Sequence, residues 1–266
     1  MKKFLLILAM IPIFMITLYF SQFPSSLISV NETFITSKYV PAPFNGVRIV
    51  QFSDTFIGDA AGLIQLENTI DEINRLNPDI VIFTGNLLAT DDDFITEQVE
   101  KLLSQIEVNI GRVSIFGQHD ILNNTHRKII YEIFSNSGFI ILNNESVELF
   151  NQDAEGIIVI GAAPTLTRNE LETLLEEHSI EDRFNLLLIN EPTFSSVSTY
   201  FPIRLQLSGH CLGSNFSNEA CFQFYSGIYS FANKMTLNVN NGMARLRPIH
   251  NLTRRPIIDS FLLIKN

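Results

Sequence analysis

Short apolar runs that end in a turn of polar residues recur along this chain. They constrain its fold more than any other feature. Ile115-Phe116-Gly117-Gln118-His119-Asp120 is the clearest: an apolar run, a glycine turn, then an amide, an imidazole and a carboxylate. Val50-Gln51-Phe52-Ser53-Asp54, Ile82-Phe83-Thr84-Gly85-Asn86 and Leu205-Gln206-Leu207-Ser208-Gly209-His210 share the design. Leu186-Leu187-Leu188-Ile189-Asn190-Glu191-Pro192 lacks only the glycine. In an α/β protein, side chains at such strand ends emerge into the crevice at the carboxyl edge of the sheet, where ligands bind. Strand ends of this kind, converging on one cleft, make a site.

Between the strand candidates the period changes. Val47–Phe52 reads as the first core strand. Leu63, Leu66, Ile70, Ile73 and Leu76 recur at helical spacing, which predicts a helix over Gly62–Leu76. Asn77-Pro78-Asp79 ends it, and Ile80–Phe83 follows as a buried strand. Asp91-Asp92-Asp93 offers either a cation site or a cap for a helix over Phe94–Ile106. Acidic residues favour a helix N-terminus, so capping is expected. Val113–Phe116 completes a βαβαβ half. A helix over Asn124–Ser137 should end on Gly138 as a left-handed cap. Phe139–Leu142, Val147–Phe150, Ile157–Ile160, Phe184–Ile189, Ile203–Leu207, Cys221–Phe224, Met235–Val239 and Ile258–Ile264 read as strands, and Asn169–Glu177 as a helix. This alternation implies an α/β fold of two mixed β-sheets packed face to face with helices outside.

The N-terminus has a different character. Met1-Lys2-Lys3 precedes an apolar stretch from Phe4 to Phe20, and no acidic residue occurs before Glu32. With the residues to Phe23 it approaches the about 20 that a bilayer core requires. The lysines favour an N-inside, single-pass signal-anchor over residues 1–23, with the remainder extracytoplasmic. A cleaved signal peptide is the alternative, but bulky Tyr19, Phe20, Gln22 and Phe23 stand where small residues are usual. Residues 24–45, with Pro24, Pro41 and Pro43, read as a stalk and an entering edge strand, and 46–266 as one domain. The formal net charge of −10 excludes a nucleic-acid surface, which needs a basic stripe. It equally opposes a face lying flat on anionic lipid. An extracytoplasmic setting would permit a disulfide between Cys211 and Cys221. Two buried thiols are the other reading, and Cys211, beside His210, could also offer a metal a thiolate.

The order of the strand ends resembles the calcineurin-like metallophosphoesterases, and the tail from Tyr225-Ser226-Gly227-Ile228-Tyr229 through Arg247-Pro248 resembles their membrane-anchored bacterial branch. That family reads D-x-H, G-D, G-N-H-D, a lone His after an apolar strand, then G-H-x-H. Here the same places hold Asp54-Thr55-Phe56, Gly85-Asn86, Gly117-Gln118-His119-Asp120, Asn190 and Gly209-His210-Cys211-Leu212. The resemblance runs from about Val47 to the C-terminus. It implies a four-layer α/β/β/α sandwich whose cleft holds two divalent metals and hydrolyses phosphoesters with a metal-bound hydroxide.

It also implies a depleted ligand set. Asp54 and His210 are retained metal-ligand positions. Phe56, Asn86, Gln118, Asn190 and Leu212 stand where the family has ligands. Two dications about 4 Å apart repel by about 17 kcal/mol at an effective dielectric of about 20, so a bridging carboxylate matters. Asn86, at that position, is neutral. His119 takes the place of the group that touches phosphate or protonates the leaving group, and Asp120 the place of the group that orients it. Without metals such a pair can still bind an anion or move a proton, or it can simply brace the turn. The expectation is a catalytically impaired, membrane-tethered protein that binds a phosphorylated ligand or a protein partner and carries no cofactor. The alternatives are a weak hydrolase of a membrane-proximal phosphoester using manganese, iron or zinc, and a purely structural protein. His126, His178 and His250 lie outside the motifs and are expected at the surface or in the core.

Overall fold

In the computed structural model, residues 28–213, 221–244 and 256–266 are described. The expected N-terminal anchor lies outside these residues, as does His250. Among the described residues no helix is long and apolar enough to cross a membrane.

The chain enters on β1 (Ser29–Ser37), an edge strand, and a short turn leads to β2 (Arg48–Phe52). Helix α1 (Ala60–Arg75) starts two residues before the periodicity suggested, because the Asp59 carboxylate accepts from Gly62 N at 2.8 Å. Asn77, at φ 51°, turns the chain out of it. After β3 (Ile80–Phe83) comes α2 (Asp93–Leu103). Asp92 caps that helix by accepting from Ile95 N at 3.1 Å. Asp91 instead pairs with the buried His126. The acidic run therefore serves as a helix cap and as a partner for the His126 ring. Then follow β4 (Gly111–Ser114), α3 (Asn124–Asn136), β5 (Ile140–Ile141), β6 (Glu145–Leu149) and β7 (Ile157–Gly161). Helix α4 (Arg168–His178) carries a reciprocal capping box between Thr167 and Glu170. The chain continues through β8 (Asn185–Leu188), a single turn α5 (Ser195–Ser198), β9 (Ile203–Ser208), β10 (Gly227–Ser230), β11 (Thr236–Val239) and β12 (Ile257–Lys265).

These strands make two six-stranded mixed sheets, ordered β1-β12-β2-β3-β4-β5 and β10-β11-β9-β8-β7-β6. Strand parity explains the layers. Ile49, Ile80, Ile82, Val113 and Ile115 face inward and meet Leu186, Leu188, Leu205 and Leu207 of the second sheet. The alternate residues Val50, Phe52, Val81 and Phe83 face outward and bury α1, α2 and α3. Ile158, Ile160 and Leu187 do the same for α4 on the far side. The result is the α/β/β/α sandwich that the alternation implied.

Cys221–Phe224 is not the expected strand. Cys221 is bonded to Cys211, which holds this stretch against the loop after β9. The edge strand β10 begins later, at Gly227, and pairs antiparallel with β11. Neither cysteine is free, so Cys211 offers no thiolate to a metal. Cross-links closing short loops stabilise by about 2–3 kcal/mol. Replacing both cysteines by serine should therefore lower the melting temperature by about 5–10 °C. A reductant should lower it similarly in the natural protein and not at all in the double variant, as read by differential scanning calorimetry.

Candidate functional site

Inward-facing positions of β2, β3 and β12 change from apolar to polar towards one edge of the sandwich. Ile49 gives way to Gln51, Ile82 to Thr84, and Phe261 to Asp259, all buried. Gln51 Nε2 donates to Thr84 Oγ1 at 3.0 Å and to Ser208 O at 2.9 Å. Asn238 Nδ2 donates to Gln51 Oε1 at 2.8 Å and to Asp259 Oδ2 at 2.7 Å, and Asn240 Nδ2 donates to Asp259 Oδ2 at 2.7 Å. Burial pushes the Asp259 carboxyl up from its ordinary value, against the pull of these amides. This polar layer stitches the two sheets beneath the strand ends. Strand parity places Asp259 and Asn238 on the inner faces, although neither lies in a strand-end motif.

At that edge the loops after β2, β3, β4, β8 and β9 converge. Asp54 is fully buried and lies at the centre. Its Oδ2 accepts from Ser53 Oγ at 2.6 Å and from His210 N at 2.9 Å. Its Oδ1 accepts from Asn86 Nδ2 at 2.7 Å. Burial raises its pKa, and the Ser53, Asn86 and His210 donors oppose the rise. Asn86 is used at both ends, since its Oδ1 accepts from His119 N at 2.9 Å. This packing leaves no room at Gly117, where a Cβ would lie 2.2 Å from Asn86 Oδ1.

Of the two roles open to Asp120, orienting His119 or bracing the turn, its contacts are those of the second. Its carboxylate accepts from the backbone amides of Asn86 at 2.6 Å, Leu87 at 2.8 Å and Gly117 at 2.8 Å. It ties the β3 and β4 loops together. The exposed His119 ring instead packs against the Phe56 ring in a T-shaped pair, with centroids 4.9 Å apart. Asn190 is buried, with Nδ2 donating to Thr84 O at 2.6 Å and Oδ1 unpartnered. Gln118 is exposed at the rim. A Cβ built on Gly242 would lie 2.7 Å from Leu212 Cδ2 and 2.9 Å from Asp54 Cβ, so Leu212 and Gly242 pack the floor beside Asp54. Of the histidines outside the motifs, His126 is buried and His178 Nδ1 sits 2.8 Å from Ser146 Oγ.

The backbone at these positions is unusual. Asp54, Phe56, Asn86, His210 and Leu212 have φ of 52°, 43°, 65°, 72° and 50°. Side chains rarely adopt this region, bulky ones least of all, and each such residue costs on the order of 1–3 kcal/mol.

The donors do not fit a pair of divalent cations. An amide hydrogen of Asn86 lies on the Asp54 carboxylate, which would have to face a cation. Phe56 and Leu212 have no donor atom, and Gln118 stands out of the cluster. Among the described residues no group of three His, Cys, Asp or Glu side chains could hold a metal ion.

The family model for calcineurin-like phosphoesterases matches residues 47–211. The chain belongs to that family. Among its relatives is an uncharacterized metallophosphoesterase of Bacillus subtilis, YkuE, 29% identical over 249 residues, covering 89% of this chain and 86% of that one. A transmembrane protein with metallophosphoesterase domain from Bos taurus is 23% identical over 225 residues, covering 77% of this chain but only 50% of its own length. A dimetal phosphatase structure from Danio rerio superposes with a TM-score of 0.53 at 9% identity, covering 77% of this chain and 90% of that one, and shares the fold.

The hub carboxylates have a consequence for stability. Burial pushes Asp120 from 3.8 up to about 6, outweighing the three amides. A folded value above the unfolded one means the native state holds the proton more tightly. That stability is fully present below about pH 4 and is lost as pH rises through 6. Relative to Asp120→Asn, the natural protein should lose up to about 3 kcal/mol between pH 4 and pH 7. Urea unfolding curves at several pH values check this; parallel pH dependence of the two proteins would contradict it.

Proposed function

We propose that this protein is a membrane-tethered, extracytoplasmic member of the family that has exchanged metal catalysis for binding of a phosphorylated ligand or a protein partner. The observation that carries this reading is the 2.7 Å hydrogen bond from Asn86 Nδ2 to Asp54 Oδ1. A donor occupies the face of the carboxylate that a cation needs, and the bridging charge that would offset dication repulsion is gone. What remains at the cleft is the exposed His119 imidazole, which can pair with an anion or move a proton. The tether is supported by the apolar stretch Phe4–Phe20 and by a relative whose name includes a transmembrane protein. The Cys211–Cys221 disulfide supports an oxidising compartment outside the cytosol.

A second reading, weak phosphoester hydrolysis near the membrane, is favoured by the buried, unpartnered Asn190 Oδ1, which has an oxygen to offer. Turnover of bis-p-nitrophenyl phosphate with manganese separates the two. Activity lost in His119→Ala would support hydrolysis, and equal, background rates would support binding.

Elemental analysis of the purified protein tests the main proposal: less than stoichiometric divalent metal is expected, and two metals per chain would overturn it. The left-handed loops suggest a companion experiment. Phe56→His, Asn86→Asp, Gln118→Asn, Asn190→His and Leu212→His together should restore the family's ligands. Each new buried polar group costs about 1–3 kcal/mol without metal, so the variant should melt below the natural protein in chelator. It should recover on adding manganese or zinc. The natural protein should respond little.

A further inference from the structure

The path of β1 says which way the site points. β1 runs parallel to β12, with Ser29 opposite Ile257. β12 runs antiparallel to β2, with Asp259 opposite Gln51. Continuing that register by two residues brings Ile257 level with Ser53, the neighbour of Asp54. Two strand spacings of about 4.8 Å then separate Ser29 from Ser53, so the chain enters the domain about 10 Å from the hub carboxylate. It enters at the carboxyl edge, not at the back of the sandwich. The entry point is pinned: Ser29 N donates to Pro256 O at 2.9 Å, and Ile28 packs into the helix-side core.

Little chain remains to form a spacer. From Phe23 to Ile28 is five residues, and from Phe20 it is eight. At about 3.5 Å per residue their reach is at most about 18–28 Å. The opposite edge lies a further strand length away, roughly 20–30 Å for strands of six to nine residues. We infer that the tether holds the domain with its site edge towards the bilayer, so that the cleft faces the lipid headgroup layer and the β9 entry side faces away. This rests on the tethered reading above. Charge does not draw the domain down, since a net −10 opposes anionic lipid; the orientation follows from an entry point at the site edge and a connection about as long as the strands, which favours the near edge. Exposed apolar residues do not choose an edge. Phe94 and Leu122 stand on the site side, and Ile180 and Tyr200 on the opposite side.

Those four residues provide the test. Because Cys211 and Cys221 are bonded to each other, single cysteines introduced in the full chain can be labelled with a fluorescent donor. The chain is reconstituted in phosphatidylcholine vesicles carrying a trace of headgroup-labelled acceptor lipid. Flotation of the protein with the vesicles is checked first. Energy transfer should be several-fold stronger from Phe94→Cys and Leu122→Cys than from Ile180→Cys and Tyr200→Cys. A protein that floats but gives equal transfer from both edges, or more from the opposite edge, overturns this inference and leaves the tether standing. A protein that does not float overturns both.

Discussion

The carboxylate of Asp54 is the interaction on which the rest of this edge depends. It is fully buried, where an uncompensated charge would cost several kcal/mol. It is compensated from three directions: a hydroxyl in its own loop, an amide from the β3 loop and a backbone N–H from the β9 loop. The last of these belongs to the other sheet. Docking of the two sheets and burial of the charge therefore require each other. Gly209 shows how tightly, because a Cβ there would lie 2.3 Å from Asp54 Oδ2.

From Asp54 the constraint spreads outward. Asn86 passes it to the His119 amide, and Asp120 gathers the amides of Asn86, Leu87 and Gly117. Beneath them the Gln51, Asn238 and Asp259 network makes the inter-sheet layer polar where it is apolar elsewhere. Left-handed backbone at Phe56 and Leu212 persists only because this surrounding network over-determines it. The loops at this edge thus hold two large apolar side chains, Phe56 and Leu212, in left-handed backbone. A phenyl ring against His119 and an isobutyl group against Gly242 make the cleft floor a packed surface.

Much of this was legible in the chain. The apolar runs with polar ends marked the strands and the edge where they meet, because a buried parallel strand needs apolar side chains on both faces and its exit needs polar ones. The capping role of Asp92 followed from its place before a helix. That Asp120 braces its own turn was one of the two readings open to it; that it also gathers the amides of Asn86 and Leu87 was not legible, because that loop does not adjoin it in sequence. Cys221–Phe224 has the composition of a strand, but the disulfide holds it as a turn and leaves the edge to Gly227–Ser230. Asp259 and Asn238 carried no motif at all.

The division has a physical cause. Element type, inward or outward parity and the caps depend on residues within a few positions of one another, so the sequence by itself determined them. Which donor reaches which acceptor depends on residues far apart: Asp54 and His210 are separated by 156 positions, and Asn238 reaches Gln51 across 187. Only the packing of the two sheets brought those groups within hydrogen-bond range. Within the first sheet, the adjacency of β2, β3 and β4 decided that the carboxylate of Asp54 would meet the Asn86 amide and that Asp120 would brace the backbone of two loops.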